Sequence, residues 1–105
     1  MVLDFGAASM YQLDYEAIPT GELVVPPPGP WDNCFTGLER GPALRWGVDE
    51  LVLRLSSTAD HWVVFTEPEH AVCVEPQTGA PDEINRRAQV FETGEMLEIV
   101  FTISW

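Results

Sequence analysis

The chain contains no lysine. Its 105 residues carry five basic side chains, all of them arginine (Arg40, Arg45, Arg54, Arg86 and Arg87), against seventeen acids, for a formal charge of −12. A field of that sign repels phosphate backbones and anionic lipid, which argues against nucleic acid and membrane surfaces as partners. It suits a neutral polar ligand such as a sugar, and it suits simple solubility equally well. Cysteine is nearly absent too. Cys34 and Cys73 are too few for a disulfide scaffold and match no zinc spacing, so free thiols and a cytoplasmic setting are expected. No apolar run approaches the roughly 18 residues of a membrane span. Met1 to Met10 include Asp4 and lack a basic start and a long apolar stretch, so they do not read as a secretory leader.

Helical periodicity is also scarce. The one helix-like stretch is Pro81 to Ala88, where Asp82 is placed to cap a single turn. Elsewhere the apolar residues recur with period two. Leu51, Leu53 and Leu55 alternate with Val52, Arg54 and Ser56, and Trp62 to Thr66 is rich in aromatic and β-branched residues. Ala71 to Glu75 follows a turn marked by Pro68. The longest pattern runs from about Glu95 to Trp105, with Leu97, Ile99, Phe101, Ile103 and Trp105 on one face. Ser9 to Leu13, Glu22 to Val25 and Ala43 to Trp46 are weaker strands, and Met1 to Phe5 resembles the middle of one. The expected fold is a single all-β domain over residues 1–105, an antiparallel β-sandwich whose apolar faces need a second sheet to cover them. A chain of this length forms a small sandwich alone or half of a larger one. Pro26-Pro27-Pro28-Gly29-Pro30 cannot pair inside a sheet and reads as a rigid linker, or as a spacer presenting Trp31 and Asp32.

The stretch Ala71-Val72-Cys73-Val74-Glu75-Pro76-Gln77-Thr78-Gly79 carries most of the chemical information. Alternation puts Glu75 on one strand face with Cys73, and Pro76 breaks the strand beside it. An acid at a sheet rim beside a turn rich in Pro, Gly and Thr is either a solvated glutamate or a ligand-facing one. Asp32, in Trp31-Asp32-Asn33-Cys34, is the second notable acid. An Asp-Asn pair is most often a turn, yet with Glu75 it also suits the carboxylate pairs of glycosidases. His61 and His70 flank the Trp62–Thr66 strand without a metal-binding spacing, and histidines near turns are more often solvated than catalytic. Arg86-Arg87 reads as an exposed basic pair or a phosphate contact. The four tryptophans read as core residues or as sugar-stacking platforms. No pattern calls for a metal or a cofactor.

Taken in order, Ile18-Pro19-Thr20-Gly21-Glu22-Leu23, Asp32-Asn33-Cys34-Phe35, Val72-Cys73-Val74-Glu75-Pro76-Gln77-Thr78, Pro81-Asp82 and Asn85 resemble the C-terminal part of aldose 1-epimerases, the galactose mutarotases. The resemblance covers about Tyr11 to Trp105. It implies part of a large antiparallel β-supersandwich that interconverts the α and β anomers of free hexoses. By that similarity Glu75 corresponds to the base that takes the anomeric proton, Asp32 to the aspartate that hydrogen-bonds sugar hydroxyls, and Gln77 to a supporting substrate contact. The family's histidine motifs, Asn-x-x-His-Gly and His-Pro-Tyr-Phe, do not occur here, and His61 and His70 stand in other contexts. The expectation is therefore a mutarotase-type chain that is incomplete without an N-terminal half. Two other outcomes stay open: a non-catalytic carbohydrate-binding module, and an inactive fragment that self-associates or pairs with a complementing chain through an open strand edge.

Overall fold

A computed structural model describes all residues, Met1 to Trp105, as nine strands and one 3₁₀ turn. The strands are β1 (Val2–Asp4), β2 (Ala7–Leu13), β3 (Pro19–Val24), β4 (Asp32–Leu38), β5 (Ala43–Trp46), β6 (Leu51–Ser57), β7 (His61–Phe65), β8 (Cys73–Gln77) and β9 (Phe101–Ser104). They form a four-stranded sheet in the order β1-β5-β6-β9 and a five-stranded sheet in the order β3-β2-β4-β7-β8. Every neighbouring pair is antiparallel. The two sheets pack as a β-sandwich, and no helix is long and apolar enough to cross a membrane.

Period-two alternation explains which side chains meet. On the inner face of the five-stranded sheet Met10, Phe35 and Val64 form the core, with Phe35 and Val64 at 0 % exposure. Val24 and Val74 extend that face across the sheet, while Leu3 and Phe5 cover it from the other layer. Phe5, Trp31 and Phe35 meet edge-to-face, with ring centres 5.0 to 6.0 Å apart. A second contact joins the layers where Trp62 meets Phe101. Only ten of the 105 residues are buried, so the sandwich is closed around Phe35 and open toward β9.

Three elements differ from the sequence reading. β8 does not stop at Glu75: it starts at Cys73 and runs through Pro76, opposite Trp62, to Gln77, opposite His61, since proline lacks the N–H but can still stand in the border strand of a sheet. The last strand is four residues long rather than eleven, because its only partner, β6, ends at Ser57. The Glu95 N–H bonds instead to the Glu92 carbonyl (3.0 Å), in a turn where Gly94 takes a left-handed φ of 94°. A strand exists only as far as its ladder. The helical turn at Pro81 to Ala88 contracts to a 3₁₀ turn over Glu83–Asn85. Asp82 precedes it in the left-handed region (φ 63°) and makes no capping bond. Its Oδ1 accepts from Asn85 Nδ2 at 2.6 Å instead.

β1 is short and is held by charge. The Asp4 carboxylate accepts from Arg40 Nε at 2.9 Å and from Arg40 Nη2, and Arg45 Nη2 lies 3.6 Å from its other oxygen. The hydrogen bonds from Arg40 hold the Asp4 pKa below its ordinary value, against a desolvation that works the other way. A depressed carboxylate stabilises the fold above its unfolded-state pKa, and the contribution fades as pH falls through the folded-state value. Solvent screening at this exposed pair keeps the effect small. Asp4→Asn is accordingly expected to lower the urea midpoint at neutral pH. The difference from the native chain should vanish once the solution is acid enough to protonate Asp4.

Candidate functional site

The outer face of the five-stranded sheet collects the polar residues singled out from the sequence. Glu75 lies opposite Val63, Gln77 opposite His61, and Cys73 opposite Phe65, which in turn faces Asp32. Directly paired residues in an antiparallel sheet share a face. Glu75, Gln77 and Asp32 therefore emerge on one side, away from Phe35 and Val64. Glu75 and Asp32 are both exposed. They are separated by β7 and by one step along the ladder, which puts their α-carbons roughly 12 Å apart at ordinary strand spacing. Phe65 and Val63 occupy the space between them. The two carboxylates look onto one surface without touching each other.

Asp32 begins β4 rather than a turn. The reason is a double tie beside it: the Trp31 N–H donates to Thr66 Oγ1 at 2.8 Å, and the Thr66 N–H donates to the Trp31 carbonyl at 2.8 Å. The spacer reading of the proline run thus has a structural counterpart, since Trp31 Nε1 donates to the Pro27 carbonyl at 2.9 Å. Trp62 is a core residue, Trp31 is half-buried against the Phe35 cluster, and Trp105 is exposed.

The structure adds a hydrogen-bonded chain that the sequence reading did not assemble. Tyr11 Oη lies 2.8 Å from His61 Nε2, and His61 Nδ1 lies 2.7 Å from Asp60 Oδ1. Thr36 Oγ1 donates to the Asp60 carbonyl at 3.0 Å and fixes that corner. Tyr11 and His61 sit on strands that are not neighbours, so this chain bridges β4 above Cys34. Alternation does put His61 on the face of Val63 and Phe65, which was readable. Its partner on β2 depends on ladder register, which was not.

A segment following β8 crosses over this face. Arg86 Nη1 donates to the Thr20 carbonyl at 2.9 Å, and Nη2 donates to the Pro19 carbonyl. Gly21 stands beside Arg86 Nη1 with a φ of 96°, a backbone conformation that favours glycine. Arg86 thereby serves as a structural tie, not as a free phosphate contact. Burial, followed by the nearby charge of Glu83, pushes the Cys34 thiol up to about 11. Burial and then Glu83 also raise the Tyr11 hydroxyl above its usual value. Cys34 is thus an inert packing thiol, whereas Cys73 is exposed two residues from Glu75.

Where β8 ends, a cavity of about 550 Å³ opens, lined by Gln77, Glu83, Gln89, Ile84, Ile99 and Pro76 among others. Compared with family models, with curated proteins and with solved structures, the chain matches none. The cavity combines amide and carboxylate groups with two isoleucines, a mixture that suits a polyhydroxylated ring having polar edges and apolar faces. Its volume lies within the usual range of small-molecule sites. Of the three residues assigned from the sequence, Gln77 lines it, Glu75 directly precedes Pro76 in its wall, and Asp32 lies apart.

Proposed function

We propose that the outer face of the five-stranded sheet handles a free hexose at its anomeric carbon, in the manner of an aldose 1-epimerase, with Glu75 as the base. The observation that carries this reading is the common face of Glu75, Gln77 and Asp32, together with the motif resemblance at those positions. Glu75 takes the proton of the anomeric hydroxyl, the ring C–O bond breaks to leave an aldehyde while solvent water protonates the departing ring oxygen, and rotation about C1–C2 presents the other carbonyl face for closure, in which the two proton transfers run in reverse. Gln77 and Asp32 hydrogen-bond hydroxyls of the sugar. Strand attachment gives Glu75 a fixed direction, since the ladder with β7 holds it between Val74 and Pro76 and continues to Gln77.

One observation favours a second reading, sugar binding without turnover. Ring opening needs an acid for the ring oxygen, and His61, the one histidine on this face, is already engaged by Tyr11 and Asp60 at 14 % side-chain exposure. Exchange NMR between the anomers of D-galactose and D-glucose separates the two. Faster anomer exchange with added protein is the outcome expected for the epimerase reading. Galactose-dependent shifts of Gln77 and residues next to Glu75, with no change in exchange, would leave binding alone. No shift and no exchange by a folded chain would dispose of both readings.

A further inference from the structure

β9 has an open edge. The Val100 N–H donates to Thr58 Oγ1 at 3.0 Å, and the Val100 carbonyl accepts from the Thr58 N–H at 3.1 Å. Both backbone groups of Val100 therefore turn toward the β6 side. Antiparallel alternation sends those of Thr102 and Ser104 the same way and those of Phe101 and Ile103 outward. No strand of the chain pairs that outward edge. Phe101 and Ile103 are each 46 % exposed, and Ile99, Val100 and Trp105 are exposed beside them.

The other three edges are blunted. β1 has three residues and ends on the ion-paired Asp4. The Pro19 and Thr20 carbonyls of β3 are occupied by Arg86. β8 contains Pro76. By contrast, Ile99-Val100-Phe101-Thr102-Ile103-Ser104-Trp105 has no charge, no proline and no glycine. Such a segment on an open edge is a template for strand addition.

We propose that two copies of this chain associate through β9, antiparallel about a two-fold axis at Thr102, joining two four-stranded sheets into one. A second copy fits because the segment is complementary to itself in that register. Phe101 then faces Ile103 of the other copy, Ile99 faces Trp105, and Val100 faces Ser104. The aromatic and β-branched pairs fall on one face, where side chains directly opposite each other stabilise an antiparallel ladder. Phe101 and Ile103 exchange their outward backbone bonds, and Thr102 meets its own copy as the closely spaced, non-hydrogen-bonded pair. The net charge of −12 opposes association in general. Glu95 and Glu98, the nearest acids in sequence, fall outside this ladder, so no like charges are set opposite each other.

Sedimentation velocity across a concentration series is the first test, and the expected result is a monomer–dimer equilibrium with nothing larger. Thr102→Lys sets two ammonium groups together at the axis without touching the inner face. It is expected to raise the dissociation constant about tenfold or more while circular dichroism stays native. In a Cys73→Ser background, Thr102→Cys should oxidise to a covalent dimer. Ser104→Cys, which faces Val100 of the other copy, should not. A native chain that stays monomeric at every concentration, or one that assembles into open-ended oligomers, overturns the proposal. Equal cross-linking by the two cysteine variants overturns the register and with it the two-fold axis at Thr102.

Discussion

Glu75→Gln is expected to slow anomer exchange by about 10²–10⁴-fold, the usual worth of a general base, while leaving the protein folded. The side chain is exposed and lies on the face opposite the Phe35 core, so its amide costs the fold nothing of consequence. Glutamine keeps the length and one acceptor oxygen but cannot take a proton at neutral pH. The loss therefore belongs to kcat, with the Michaelis constant little changed, because hydroxyl contacts through Gln77 and Asp32 persist. Cys73→Ser is the matched control: it changes a side chain on the same face of the same strand, two residues away, and should leave the rate alone. Exchange NMR on the three proteins at equal concentration makes the comparison. Equal rates for Glu75→Gln and the native chain would remove Glu75 from the reaction.

The largest effect on stability is expected at Phe35. Phe35→Ala should cost about 3–5 kcal/mol, as large aromatic truncations in cores do. Phe35 has no exposed surface, it packs with Met10 and Val64, and it meets both Phe5 and Trp31 edge-to-face. Removing the ring thus empties the centre of the cluster around which the two sheets close. A domain has about 5–15 kcal/mol of net stability in total, so this variant should lose most of its unfolding transition. Phe35→Leu fills part of the space and should fall between the two. Denaturant titration followed by tryptophan fluorescence reports the difference directly, since Trp31 and Trp62 both sit in or beside this core.

Fold class was legible because period-two alternation is a local property. Ala43 to Trp46 was readable to the residue, and Leu51 to Ser56 nearly so. What local pattern does not contain is the partner. The alternation from Glu95 to Trp105 is genuine, yet only four of those residues form a strand, since β6 ends before the rest can pair. Cys73 and Glu75 could be put on one face by counting, whereas Gln77 could not, because the proline before it was expected to end the strand. That Asp32 joins them depends on the β4–β7 and β7–β8 registers, which no short-range signal encodes. The same limit hid the Tyr11–His61 pair, whose members are fifty residues apart.

Arg86 ties the segment leaving β8 to β3, and those two strands are opposite borders of the five-stranded sheet. The tie therefore acts as a bowstring. A chord fastened to both rims of a twisted sheet limits how far they can spread, and so limits how flat the sheet can become. The cavity that Gln77 and Glu83 line is thus walled on one side by a segment that a guanidinium fastens to the opposite border of the sheet.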